Sequence, residues 1–104
     1  DATVMIKNGR TFVPLRFIGE ALGAKVLWEN GTRTIAIKDK DNVITMQIGE
    51  RIGYVNNYAY VLDEAPFIKN DRTFVPLRFI GEALGADVEW IASERKIVMR
   101  RVRT

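Results

Sequence analysis

The chain has 104 residues, 47% of them hydrophobic and 28% charged, which is the composition of a folded domain and not of a disordered chain. It contains no Cys and no His, which excludes disulfides, thiolate or histidine relays, zinc sites built from Cys and His, and histidine copper sites. The net charge of +3 is uneven, because residues 95–104 carry five basic side chains and no acid, whereas the remainder carries 11 basic and 13 acidic ones. Such a basic tail is suited to binding an acidic polymer or a neighbouring copy of the chain. The alternative is an ordinary strand whose charges face solvent.

No segment approaches the roughly 20 apolar residues that a membrane span needs, so no membrane insertion is expected. The N-terminus Asp1-Ala2-Thr3 has no initiator Met and no signal-like region. This is typical of a processed or trimmed mature end.

An internal repeat dominates the sequence. Residues 10–24 recur without a change as residues 72–86, an offset of 62 positions. We expect one domain over residues 1–104, with repeat one at about 4–42, a linking hairpin at 43–62 and repeat two at about 66–104.

Each copy begins with a strand and continues as a short helix. Residues 11–13 are β-prone, and Pro14 suits the first turn of a helix because its missing N–H needs no partner there. Apolar side chains then follow at helical spacing, and Gly23 is typical of a left-handed helix cap. The predicted core residues of the two copies are Leu15, Ile18, Leu22, Leu77, Ile80 and Leu84.

Hairpins follow the helices. Residues 26–28 and 34–38 flank Asn30-Gly31, a pair that favours the positive φ angles of a tight turn. In the second copy the corresponding strands are residues 88–90 and 96–102. In the linking segment, residues 43–48 are predicted to pair with residues 54–62, with a turn at Asn56-Asn57. The fold class predicted is α+β, with two pseudo-symmetric strand–helix–hairpin repeats forming an antiparallel sheet with two short packed helices.

The repeated Val-Pro-Leu-Arg-Phe-Ile-Gly-Glu-Ala-Leu-Gly-Ala, followed by Trp28 in one copy and Trp90 in the other, resembles the copper amine oxidase N-terminal-like domain family. These are stalk-type modules of bacterial surface and secreted proteins. The resemblance implies an antiparallel sheet with packed helices, a secreted or cell-surface location and no catalytic residue. No cofactor and no metal site are expected, since the chain has no histidine with which to bind copper.

The chain departs from that family pattern at its beginning. A strand pair like residues 43–62 usually precedes each helix motif, yet only nine residues precede Arg10. The first copy therefore lacks its leading hairpin, and either the domain tolerates this or another strand supplies it. Residues 2–6 are β-prone and are themselves candidates for donation to a neighbour.

The helix charges and the aromatic residues are the first candidate sites. An Arg and a Glu four positions apart share one helix face, and we interpret them as ties between helix and sheet, since a hydrolytic carboxylate pair needs two unlike environments. The tryptophans and tyrosines are candidates for an aromatic platform that binds sugar rings. Strand alternation favours the core for the tryptophans, and the tyrosines fit either the core or a contact surface. The candidate ties are Arg16, Glu20, Arg78 and Glu82, and the candidate contact residues are Tyr54, Tyr58, Tyr60, Arg100, Arg101 and Arg103.

Two acidic clusters offer weak calcium ligands. Residues 39–42 alternate oxygen-bearing side chains but lack the glycine and closing Glu of an EF-hand loop, which favours a plain polar turn. Asp63, Glu64 and Asp71 are a second weak candidate.

These observations predict a non-catalytic extracellular structural module that self-associates head to tail by strand addition into a surface assembly or filament. The alternative is a cell-wall or carbohydrate-binding accessory module of a secreted protein. We expect a homo-oligomer or a polysaccharide partner, and no nucleic acid.

Overall fold

The chain is described by a computed structural model over residues 4–91, 93–94 and 96–101. In these residues the fold is α+β, with two helices and antiparallel sheets. The elements are β1 (Met5–Lys7), β2 (Arg10–Pro14), α1 (Leu15–Leu22), β3 (Lys25–Glu29), β4 (Thr34–Asp39), β5 (Asn42–Gln47), β6 (Ile52–Val55), β7 (Tyr58–Val61), β8 (Phe67–Lys69), β9 (Arg72–Pro76), α2 (Leu77–Ala83), β10 (Ala86–Ile91) and β11 (Lys96–Arg101).

The strands form three antiparallel sheets. One has the order β1-β2-β9-β8, a second has the order β3-β4-β5-β6-β7, and β10 pairs with β11 in the third. In the first sheet the central pair is β2 with β9, where Val13 lies opposite Val75, the same position of the other copy. The two copies therefore meet along their identical strands.

The core lies between the five-stranded sheet and the helices. Ile35 pairs with Met46 and Ile37 with Ile44, so these four buried side chains share one face of the sheet. Helix residues cover that face, together with Val13 and Val75 of the central strands and Leu62. The predicted core residues that pack there are Leu15, Ile18, Leu77, Ile80 and Leu84, all confirmed as buried; the side chain of Leu22 lies outside the described part of the chain.

One of the two local rules that predicted the ends of α1 operates as expected. Pro14 was predicted in the first turn of the helix, but it is the last residue of β2 and precedes α1 in an extended conformation, with φ −61° and ψ 138°. Gly23 ends it with φ 68°, and its N–H donates to the carbonyl of Gly19 at 2.9 Å. A side chain at Gly23 would be strained by this left-handed conformation.

The linking segment folds into three strands and not two. β5 pairs with β6, and β6 pairs with β7, so residues 54–62 do not form one strand. The Asn56-Asn57 turn is confirmed, with φ angles of 49° and 77° that suit a two-residue hairpin loop.

Both Arg-Thr-Phe-Val-Pro strands have a leading strand. In the first copy the β-prone residues 2–6 were interpreted as a strand for donation, and their pairing within the chain was not predicted. β1 pairs with β2, and β8 pairs with β9 in the same way. Because Met5 and Ile6 already pair with the chain's own Phe12 and Thr11, these residues are not a strand free for donation.

Trp28 does not lie in the core, so that prediction is wrong. It points to the same face as Ile35, but β3 is the edge of its sheet and the side chain is 39% exposed. Its Nε1 donates to Asn30 Oδ1 at 3.3 Å. The side chain of Trp90 lies outside the described part of the chain.

The β3–β4 turn also differs from the prediction. Asn30 and Gly31 do not take the positive φ angles; Arg33 does, with φ 57°. The loop is held instead by the Glu29 carboxylate, which accepts hydrogen bonds from the N–H groups of Gly31 at 3.0 Å and Thr32 at 2.7 Å. The Thr32 hydroxyl donates a third, at 2.6 Å.

These bonds lower the pKa of Glu29 below its ordinary value of 4.5, with the Thr32 hydroxyl as the largest cause. Because the pKa of Glu29 is lowered in the folded state, the stabilisation by these hydrogen bonds is fully present at pH above the pKa of the unfolded chain. It is lost as the pH falls through the pKa of the folded protein. We expect a carboxyl-carbon NMR titration to place Glu29 below 4.5 and Thr32→Ala to move it upward. Thr32→Ser, which keeps the hydroxyl, is the control, and a wild-type value at or above 4.5 would contradict the assignment.

Candidate interaction surfaces

The arginine and glutamate of each helix lie on its solvent side. Arg16, Glu20, Arg78 and Glu82 are all exposed. Over the described residues, no ion pair or hydrogen bond joins either arginine to its glutamate, and the structure shows no bond from these four side chains to a strand. Their role as helix-to-sheet ties therefore stays a prediction.

Instead, these charged side chains line two grooves that correspond by the 62-residue offset. The α2 groove, of about 640 Å³, is lined by the helix residues Arg78, Phe79 and Glu82, by Arg10 of β2 and by the segment 61–64. The α1 groove, of about 660 Å³, is lined by the helix residues Arg16, Phe17 and Glu20, and by Asp71 and Arg72 at the start of β9, among others. Each groove thus combines the helix of one copy with the strand of the other.

An ion pair distinguishes the two grooves. Asp63 lies 3.3 Å from the Nε of Arg10 in the α2 groove. Within the described part of the chain, Arg72 has no corresponding carboxylate partner, and its side chain is exposed.

Two of the three acids considered as a second calcium site contact cationic side chains, and the third, Asp71, lies in the turn between β8 and β9 with φ 61°. Asp63 contacts Arg10, and Glu64 Oε1 lies 4.0 Å from Lys7 Nζ. The same ammonium lies 4.7 Å from the centroid of the Phe67 ring.

The first acidic cluster is the β4–β5 turn. Asp39 pairs with Asn42 across the two strands, and Lys40 has φ 54°. The Asn42 side-chain oxygen accepts a hydrogen bond from Asn56 Nδ2 at 2.9 Å, which connects this turn to the next one. In the residues described, no group of three His, Cys, Asp or Glu side chains is placed to hold a metal ion.

The three candidate tyrosines do not share one face. Tyr58 and Tyr60 pair with Val55 and Gly53, so they point toward the α2 side of the sheet, whereas Tyr54 points to the opposite side. All three are exposed, Tyr58 most of all at 72%. Tyr60 also reaches the helix, with its ring centroid 6.3 Å from that of Phe79.

The basic C-terminal strand β11 pairs with β10, and no described strand pairs with its other edge. Lys96 and Arg100 are exposed. The side chain of Arg101 and all of Arg103 lie outside the described part of the chain. β7 is likewise an edge strand, and all four of its residues are exposed.

Sequence reasoning missed the contacts between residues distant in sequence, above all that of Asp63 with Arg10. The one readable pattern was Asn8-Gly9 between two β-prone runs, which is typical of a tight hairpin turn and would have identified β1. No described helix has the length and apolar character to cross a membrane.

The fold and these surfaces define a small α+β module with exposed edge strands and two charged grooves. Residues 1–99 match the copper amine oxidase N-terminal domain family, so the chain belongs to that family. It is also 32% identical over 90 residues to a protein of Brevibacillus choshinensis named "Protease inhibitor", a match that covers 85% of this chain and 27% of that protein. The chain thus spans about a quarter of the length of that relative.

Proposed function

We propose that this chain is a non-catalytic, extracellular structural module that self-associates head to tail by strand addition. The observation that carries the proposal is β7, whose outer edge is paired with none of the described strands and whose aromatic and apolar side chains are exposed. Tyr58 is 72% and Val61 is 77% exposed. Proteins usually protect such edges with Lys, Pro or a bulge, and the sequence Tyr-Ala-Tyr-Val carries neither Lys nor Pro.

Charge supports β11 of a second copy as the partner strand. β11 carries Lys96 and Arg100, whereas β7 is followed by Asp63 and Glu64. Asp63 is 72% exposed even while it contacts Arg10, so it is accessible to a second cation. A contact between two different edges is heterologous, and it extends into a fibre where it does not close a ring.

Substitution of Ala59 with proline is expected to abolish this assembly without unfolding the protein. The N–H of Leu62 points toward β6, because it donates to the carbonyl of Arg51, which directly precedes that strand. N–H groups alternate in direction along a strand, so the N–H of Ala59, three residues earlier, points away from β6. Proline there removes a donor only from the free edge. Light scattering at increasing concentration measures the effect.

Ala59→Ser keeps the N–H and is the matched control, expected to assemble like the wild type. A wild-type protein that stays monomeric at high concentration refutes self-association. Equal assembly of the proline variant shows that β7 is not the interface.

Carbohydrate binding is the second candidate, and the tyrosine geometry gives it less support. A sugar platform needs aromatic faces on one surface, whereas Tyr54 lies on the opposite side of the sheet from Tyr58 and Tyr60. The name of the Brevibacillus choshinensis relative raises protease inhibition, but no contact among the described residues favours it.

The non-catalytic part of the proposal is supported by the absence of His and Cys from the sequence. The extracellular part rests on the family resemblance alone. We also propose that a local two-fold axis relates the two copies, and the pairing of Val13 with Val75 supports it.

A further inference from the structure

The turn between β3 and β4 contains Asn30-Gly31, a pair whose two residues can react with each other. Both residues are exposed, as are Trp28 and Glu29 before them. In such a pair the backbone nitrogen of the glycine can close a succinimide ring on the side-chain amide of the asparagine. Glycine has no side chain that would hinder the attack.

A carboxylate is already in contact with the nucleophilic nitrogen. The N–H of Gly31 donates to Oε1 of Glu29 at 3.0 Å, which is within the range over which a general base abstracts a proton. The other oxygen of Glu29 accepts from the N–H and the hydroxyl of Thr32, at 2.7 Å and 2.6 Å, so the carboxylate is held in place. A Cβ at position 31 would lie 3.3 Å from Oε1 of Glu29, so glycine also leaves room for the base.

A hydrogen-bond donor is in contact with the oxygen on which negative charge would form. The indole Nε1 of Trp28 donates to Oδ1 of Asn30 at 3.3 Å. Attack on the side-chain amide turns this oxygen into an oxyanion, and a donor aimed at it stabilises the charge. The turn therefore places a base on the nucleophile and a donor on the electrophile, which is the arrangement that acyl transfer needs.

We propose that Asn30 is a self-modification site, at which the chain converts its own asparagine into aspartyl and isoaspartyl forms. The nitrogen of Gly31 attacks Cγ of Asn30 while Glu29 takes the proton. The Cγ–Nδ2 bond then breaks, and Nδ2 leaves as ammonia with the proton that Glu29 returns. Water opens the succinimide at either carbonyl, which leaves a new carboxylate at position 30. This chemistry needs no second copy of the chain, so it goes beyond the proposed function.

Asn8-Gly9 is an internal reference with the same two residue types. It is also exposed, and it forms the tight turn between β1 and β2, with φ angles of 52° and 77°. In the part of the chain that the structure describes, no side-chain carboxylate accepts a hydrogen bond from the N–H of Gly9, whereas Glu29 accepts one from Gly31. A difference in rate between the two pairs therefore measures their surroundings.

The test is incubation of the folded chain at neutral pH and physiological temperature, followed by peptide mass spectrometry that separates asparaginyl, aspartyl and isoaspartyl forms. Position 30 is expected to react at least about tenfold faster than position 8, because only its nucleophile contacts a base. Glu29→Gln, which cannot take the proton, should slow the reaction at position 30 by about tenfold and leave position 8 unchanged. Trp28→Phe should also slow position 30, because it removes the donor to Oδ1.

Gln47→Ala is the matched control for a change in the order of the turn. Gln47 Nε2 donates to the carbonyl of Thr32 at 2.9 Å, so this variant loosens the same turn and keeps the carboxylate of Glu29. We expect its rate at position 30 to equal that of the wild type. Circular dichroism of each variant before incubation checks that the chain is folded.

Three results would overturn the proposal. One is a rate at position 30 that is no higher than the rate at position 8, which would reflect the residue pair alone. Another is a faster reaction in Glu29→Gln, which would show that the hydrogen bond protects the nitrogen of Gly31. The third is a loss of rate in Gln47→Ala as large as that in Glu29→Gln, which would show that the order of the turn, and not the carboxylate, determines the rate.

Discussion

Replacement of Leu84 with alanine is expected to lower the free energy of unfolding by about 2–5 kcal/mol. Leu84 is 5% exposed, belongs to the core cluster and is the C-cap residue that follows α2, where its N–H donates to the carbonyl of Ile80 at 3.1 Å. Alanine keeps the backbone hydrogen bond to Ile80 and removes only buried apolar volume. The loss of unfolding free energy therefore measures the packing of the Leu84 side chain. Urea denaturation followed by circular dichroism measures it.

Glu82→Ala, on the exposed side of the same helix, is the control and should change stability by less than about 0.5 kcal/mol. A loss of under about 1 kcal/mol for Leu84→Ala would show that this end of α2 is not packed as described.

Gly53→Val is expected to destabilise the protein by about 1–3 kcal/mol, because it inserts a side chain where β6 touches α2. A Cβ at Gly53 would lie 3.1 Å from Phe79 Cζ and 3.3 Å from Leu62 Cδ2, closer than ordinary van der Waals contact. Denaturant unfolding measures the loss, and Phe79→Leu in the same chain should recover part of it by making room.

Tyr54→Val is the control for this variant. Tyr54 is the next residue in β6 and points to the other face, so the same valine there meets no helix. Equal losses for the two variants would show that the β-strand substitution itself, and not contact with Phe79, causes the effect.

The parts of the fold predicted from sequence are those that depend on neighbouring residues. Pro14 and Gly23 delimit α1 through backbone geometry, and the apolar stripe from Leu15 to Ile18 determines which side is buried. Asn56-Asn57 likewise determines its own turn. Such features need no knowledge of the rest of the chain.

The features that were missed depend on partners distant in sequence. Trp28 has a core-like alternation, yet none of the described strands lies beyond β3 to cover it. The loop before β4 is a local exception, because it follows the carboxylate of the neighbouring Glu29 and not the Asn30-Gly31 pair. Gly81 is buried whereas the corresponding Gly19 is only half-buried, a difference that identical sequences cannot report.

The pairing of Val13 with Val75 has a consequence for synthesis on the ribosome. The partner of β2 on this side is β9, made 62 residues later, so β2 lacks its central neighbour throughout that interval. Closing so long a loop costs entropy before any contact offsets it, which makes this step slow relative to the local hairpins. During that time the apolar strand Arg10–Pro14 is exposed to chaperones and to other nascent chains, and the sheet is completed only after both copies have left the exit tunnel.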